Sequence, residues 1–280
     1  MRIFLGVSLV MVAFAANSVL NRMALASETI DPASFASIRI ASGVVVLVCL
    51  LMFQGKLKSL SWKPDLRAVS GLSAYMLGFS FAYITLDAGV GALILFGGVQ
   101  ITMFAGAILK GQQPRLLQWL GAIIAFSGLV YLLQPGEISI DIKGAGLMIL
   151  AAVGWGLYSL RGQLVTDPLR ATMLNFLFAL PIALLALLSI GNMEISQRGL
   201  CLAIVSGGVT SALGYALWYK LLPSMDTSNA AVSQLTVPII AMAGGMLFLN
   251  ESLTLTFVIA SILVLGGVAL SVLGAKKTAK

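Results

Sequence analysis

The sequence predicts an all-α integral membrane protein whose ten transmembrane helices form two inverted five-helix repeats. Three observations carry this expectation. Of the 280 residues, 59% are apolar and only 10% are charged, whereas a soluble domain carries roughly 25% charged residues. The apolar residues fall into ten blocks of about twenty, the length a helix rising ~1.5 Å per residue needs to cross a ~30 Å hydrocarbon core. Basic residues collect at alternate ends of those blocks, and the two halves of the chain match at a fixed offset.

The expected spans are 3–24, 34–54, 66–86, 89–109, 115–133, 144–163, 168–190, 199–222, 227–249 and 254–273. The first carries Asn17 and Asn21, four apart and so on one helix face. Asp31-Pro32 opens the second: a capping carboxylate precedes a proline that a helix start tolerates. That span holds Arg39, a charge well inside an apolar block. The third repeats Tyr75, Phe79 and Tyr83 at intervals of four. The fourth holds the adjacent Gly97 and Gly98 and then Gln100, and the fifth the small residues from Gly121 to Gly128, which suit close helix approach. Trp155 and Tyr158 share a face of the sixth. Asp167-Pro168 opens the seventh, which contains Asn175 and Pro181. Tyr215 and Trp218 share a face of the eighth. Asp226-Thr227-Ser228-Asn229 offers caps to the ninth, which includes Gln234 and Pro238, and the tenth carries Gly266-Gly267.

With the N-terminus in the cytoplasm, 13 of the 17 basic residues fall on the cytoplasmic side, from Arg2 through Lys56, Lys110, Arg161 and Lys220 to the tail at Lys280. The other side receives Arg22, Lys143 and Arg198. This positive-inside bias needs an even number of spans and places both termini in the cytoplasm of a multi-pass cell-membrane protein. Arg2, the following apolar run and Ala13-Phe14-Ala15 also resemble a secretory signal. Its cleavage would leave nine spans and contradict the charge count.

At an offset of 139 residues Arg22 falls on Arg161, Gly106 on Gly245 and Gly128 on Gly267, and both second spans open with Asp-Pro. Five spans per half is an odd number, so the second copy is expected upside down, a construction recurrent in secondary transporters. The expected units are 1–134, 140–275 and a cytoplasmic basic tail, 276–280. Gly97-Gly98 corresponds to Thr236-Val237, directly before Pro238. These are the candidate hinges, because glycine pairs loosen helices and proline removes a helix hydrogen bond.

Several classes of function are excluded. No stretch between the spans is long enough for an ATP-binding module, and no phosphate-binding glycine-lysine loop is present. Histidine is absent and the two cysteines, Cys49 and Cys201, have no metal-ligand spacing; both are expected as small buried residues. No cofactor or metal is expected. The net charge of +7 follows from membrane topology and does not indicate nucleic acid. A membrane enzyme would need convergent acids, bases or nucleophiles, and no carboxylate pair lies at mid-depth.

Several segments resemble the drug/metabolite transporter superfamily, specifically its ten-helix EamA-like family. They are Phe35-Ala36-Ser37-Ile38-Arg39; Trp155-Gly156 with Arg161; Gly214-Tyr215-Ala216-Leu217-Trp218; the run from Ala230 to Pro238; and Asn250-Glu251-Ser252-Leu253-Thr254. The first copy departs from the pattern at Ala16-Asn17, Val99 and Gln112, and the second at Phe178. The resemblance implies a secondary carrier, an exporter, for a small organic metabolite such as an amino acid. Alternatives are a lipid-linked sugar flippase, a non-transporting scaffold or a polytopic enzyme. Protons are the candidate coupling ion, although no acid lies at mid-depth, so coupling would run through a boundary acid or be absent. The bilayer and the solute are the expected partners, and a homo-oligomer is compatible with the sequence.

Polar groups in hydrocarbon are expensive and face the bundle interior or a wet cavity. The candidate lining of the solute path is therefore Asn17, Asn21, Arg39, Tyr75, Tyr83, Gln100, Trp155, Tyr158, Asn175, Tyr215, Trp218 and Gln234. Each amide could instead tie helices together, and the aromatics could be packing. Arg39 has two readings: a structural tie to helix-end carbonyls or to Asp31, or capture of a substrate carboxylate. Asp87 and Glu251 are expected to cap helix ends.

Overall fold

The computed structural model describes residues 2–55, 63–109, 111, 113–134, 140–162, 164–189, 193–221 and 233–275. Among these residues the chain forms ten helices: α1 (Arg2–Leu25), α2 (Pro32–Phe53), α3 (Leu66–Ala82), α4 (Ala88–Leu109), α5 (Leu116–Leu132), α6 (Ile142–Gly162), α7 (Pro168–Ala186), α8 (Gln197–Leu221), α9 (Val237–Leu249) and α10 (Leu255–Ala275). Seven of them, α1, α2, α4, α6, α7, α8 and α10, are long and apolar enough to cross a membrane; α5 and α9 are apolar but shorter. The Asp226–Asn229 caps, the first residues of the ninth span, Gln112 and the basic tail lie outside the described residues.

Local chemistry sets the helix starts. Asp31 Oδ1 accepts the Ser34 N–H at 2.8 Å, with Pro32 in the first turn. Asp167 repeats the arrangement ahead of Pro168, accepting from Arg170 N. Both satisfy donors that a helix start leaves free. Two spans are shorter than the sequence suggests. α3 stops at Ala82 because the backbone then turns, Leu86 N returning to the Ala82 carbonyl at 3.1 Å. In the ninth span a turn at 235–236 separates a helical pair at 233–234 from α9, whose first turn contains Pro238.

The outer faces present large apolar side chains such as Phe53 and Leu109, 91% and 88% exposed, where a water-soluble protein would place charges. Cys49 and Cys201 also lie on these faces, free and exposed, contrary to the expectation that they are buried. Inside the bundle α5 packs on α10, α3 on α6, α1 on α8, α4 on α6 and α9, α1 on α9, and α2 on α7 and α8. Small residues allow the closest of these contacts. A Cβ on Gly267 would lie 2.5 Å from Ala125 N and 2.6 Å from the Gly121 carbonyl, so α5 and α10 meet backbone to backbone. Gly71 and Gly154 do the same for α3 and α6. α4 runs unbroken through Gly97 and Gly98, where added Cβ atoms would meet Val264 and Ala152.

The chain around Ile30, Thr85, Asp141, Ile195 and Glu251 gathers at one end, called here the latch end. A short antiparallel bridge joins Ile30 to Ile195, Thr85 donates to Asp141, and Glu251 accepts from Ala88 N. At the opposite end, Arg161 pairs with Asp65 at 2.6 Å.

Candidate solute site and latch

Arg39 sits on the inner face of α2 with none of its surface exposed. Its Nε donates to Ser211 Oγ at 2.9 Å, and Nη2 donates to Tyr215 OH at 3.1 Å and Tyr75 OH at 3.3 Å. Its Cζ lies 5.1 Å from the Phe79 ring centroid and 5.6 Å from that of Tyr75, within range of a cation–π attraction. Nη1 has no partner. Among the described residues no carbonyl and no carboxylate accepts from the guanidinium, and Asp31 Oδ1 instead caps α2.

The hydroxyls that meet Arg39 belong to a polar layer between α1 and α8. Asn17 Oδ1 accepts from Ser206 at 2.9 Å, Thr210 at 2.5 Å and Ser211 at 3.3 Å. Asn21 donates to the Asn17 carbonyl at 2.8 Å and accepts from Ser80. Ser206, Thr210 and Ser211 lie in a π-helical stretch of α8, Ser206–Leu213, a distortion frequent at functional sites. Here a Cβ on Gly207 would collide with the Arg39 carbonyl and the Ser42 hydroxyl, so only glycine permits the approach of α8 to α2. The sequence reading missed these three hydroxyls. Their signal was a spacing of four and five residues inside an apolar span.

An aromatic wall completes the layer. Trp155 lies 4.8 Å, ring to ring, from both Tyr75 and Tyr215. Phe14 packs edge-on against Trp155, Tyr215 and Trp218. From Trp155 the rings continue as a column, Tyr158 at 5.4 Å and then Tyr219 stacked 5.6 Å further on. Tyr219 lines a cavity of about 240 Å³ at the end opposite the latch, together with Asp65, Arg161, Asp167, Arg170 and Asn175. Burial raises the Asp65 carboxyl, but hydrogen bonds from Arg161 and the Ala68 N–H outweigh it and hold the group below the usual carboxylate range.

Charged side chains tie the latch end together. Arg22 donates to the Ile84 and Tyr83 carbonyls, approaches Asp87 at 3.3 Å and reaches toward Glu251 at 3.9 Å. Asn250, in the left-handed region at φ 56°, turns the chain so that Glu251 Oε1 accepts the Ala88 N–H at 2.7 Å. Glu251 thus caps α4 from another part of the chain, where the helix dipole favours a negative group. Burial raises its carboxyl above the ordinary range, with the neighbouring Asp87 charge adding to the shift. Tyr83 is buried in this layer, its hydroxyl donating to the Ala88 carbonyl at 3.3 Å.

The structure therefore brings Asn17, Asn21, Arg39, Tyr75, Trp155, Tyr215 and Trp218 into one buried cluster. Tyr158 extends it, Asn175 lines the cavity, and Tyr83 belongs to the latch layer. Gln100 and Gln234 stay apart: among the described residues neither bonds to a member of the cluster, and Gln100 Nε2 has no partner.

A model of the EamA-like transporter family matches residues 1–134 and again 142–273. The chain belongs to the EamA-like transporter family. It is 41% identical over 263 residues to an uncharacterized protein of Pseudomonas aeruginosa, covering 94% of this chain and 91% of that one. It is 27% identical over 244 residues to an uncharacterized transporter of Bacillus subtilis, covering 82% and 81%. A Salmonella typhimurium protein named "probable amino-acid metabolite efflux pump" is 25% identical over 224 residues, covering 73% and 75%. A crystal structure covering 98% of both chains superposes with a TM-score of 0.64 at 18% identity and shares the fold. This EamA-like protein is a multi-pass membrane transporter, not an enzyme.

Proposed function

We propose that this EamA-like transporter is a secondary carrier that exports a small organic metabolite, such as an amino acid or a related compound, by alternating access. The observation that carries the reading is the buried cluster around Arg39. Its members come from α1, α2 and α3 on one side and α6 and α8 on the other. Toward the latch end lie the Arg22, Asp87 and Glu251 contacts, and toward the opposite end the ring column from Trp155 through Tyr158 reaches Tyr219, which lines the cavity. A buried central cluster with an ionic latch at one end and a cavity at the other suits a carrier caught in one of its two shapes.

The helix pairing supports an inverted repeat. Replacing each helix by the one five places further along turns α3–α6 into α8–α1, α4–α6 into α9–α1 and α2–α8 into α7–α3, all of which pack. The pairs α2–α7, α4–α9 and α5–α10 map onto themselves. The basic-residue count favours a cytoplasmic cavity end, which suits loading for export, and the efflux name of the Salmonella relative points the same way. Glu251, buried at the latch with a raised carboxyl, is the candidate through which protons would couple to opening. The test is an untargeted comparison of extracellular metabolites between cells lacking and cells overproducing the protein. At least one amino-acid-like compound should accumulate outside the overproducing cells; indistinguishable profiles would contradict export.

A further inference from the structure

We infer that the solute carries a single carboxylate and that Arg39 binds it through Nη1. The inference rests on the carrier reading and deepens it. A buried charge is ordinarily paired, because removing an ion from water costs several kcal/mol that neutral hydrogen bonds only partly return. The partners of Arg39 are three neutral hydroxyls and two ring faces. Among the described residues no carboxylate forms an ion pair with Arg39: Asp31 Oδ1 caps α2 while its Oδ2 has no partner, and Asp87 and Glu251 face Arg22. The guanidinium is therefore a buried cation awaiting an anion.

The unspent hydrogen-bonding capacity of the cluster identifies that anion. Arg39 Nη1, Trp155 Nε1 and Asn17 Nδ2 are buried and have no partner. All three only donate; the Tyr158 hydroxyl, next along the ring column, is likewise without a partner and can donate as well. The acceptor side of Asn17 is used three times over by Ser206, Thr210 and Ser211. A site with donors to spare accepts a group that only accepts, which describes an ionised carboxylate and not an amine. One guanidinium neutralises one negative charge, so a monocarboxylate is matched where a phosphate near −2 would leave charge over. The rings of Phe14, Trp155 and Trp218 beside these donors supply an apolar surface for the carbon part of the molecule.

The test uses the purified protein in detergent, reading thermal unfolding and tryptophan emission. Benzoate, L-phenylalanine, benzamide and inorganic phosphate are compared at equal ionic strength. Benzoate or L-phenylalanine should bind at least about tenfold more tightly than benzamide, the effect expected of a charge-assisted hydrogen bond. Arg39→Gln should erase that difference, and Arg39→Lys should keep part of it. Equal binding of acid and amide, preference for phosphate, or no response to either carboxylate would overturn the inference. The acid–amide comparison in the unaltered protein decides the matter even if Arg39→Gln does not fold. Flux into proteoliposomes separates the two levels. Protein-dependent flux restricted to uncharged solutes overturns the carboxylate and leaves the carrier standing, whereas carboxylate binding without flux of any solute contradicts the carrier reading alone.

Discussion

Arg39, Asn17 and Tyr215 could be picked out from the sequence because a charge, an amide or a phenol stands out in an apolar block. Ser206, Thr210 and Ser211 could not, because hydroxyls are common in membrane helices, where they bond locally to the helix backbone. Only the folded chain shows that all three turn toward Asn17. Replacing Asn17 with leucine would remove the acceptor these hydroxyls share and leave the Ser206 and Ser211 protons without that partner in the bundle interior. The expected loss is about 2 kcal/mol or more, measurable as a lower unfolding temperature in detergent. Glu251 makes a second prediction, with a definite sign. Its carboxyl titrates above the ordinary value in the folded protein, so the folded state holds that proton more tightly than the unfolded chain does. Its contribution to stability is complete below the ordinary carboxyl range and is lost as pH rises through the raised value. Thermal unfolding between about pH 4 and pH 8 should therefore show a steeper fall with rising pH in the unaltered protein than in Glu251→Gln. Parallel profiles would mean that Glu251 is not the titrating group at the latch.

At the scale of the helices, the apolar blocks and Asp-Pro starts located the elements well, and the glycines of α5 and α10 were legible as contact surfaces. Composition could not show that the two candidate hinges differ in kind. Gly97 and Gly98 lie within an unbroken α4 and admit Val264 and Ala152, whereas Pro238 begins a helix after a turn at 235–236. Different outcomes follow. Gly98→Leu should force α4 from α6, since a Cβ there already meets Ala152 Cβ at 2.7 Å. It should cost about 1–3 kcal/mol and reduce the yield of folded protein. Pro238→Ala can extend the helix backward through the turn. It should leave folded yield nearly unchanged and lower flux per folded molecule; flux equal to that of the unaltered protein would make Pro238 a packing feature.

At the scale of the whole molecule, the number of helices and the bilayer as solvent followed from composition and block length. The latch that ties one end together did not. Arg22, Asp87 and Glu251 are far apart in sequence, and each alone reads as an interfacial charge or a cap. At the offset of 139 these residues align with Arg161, Asp226 and Gln112, so the carboxylate that completes the latch at one end has an amide as its counterpart in the other half. That chemical asymmetry fits a carrier whose two openings are controlled differently. The decisive measurement is protein-dependent flux of radiolabelled amino acids across proteoliposomes containing the purified, folded protein. A secondary carrier will exchange at least one of them down an imposed gradient without ATP, and faster when the opposite side holds the same unlabelled compound. Folded protein that moves none of these solutes beyond the rate of protein-free vesicles would contradict it.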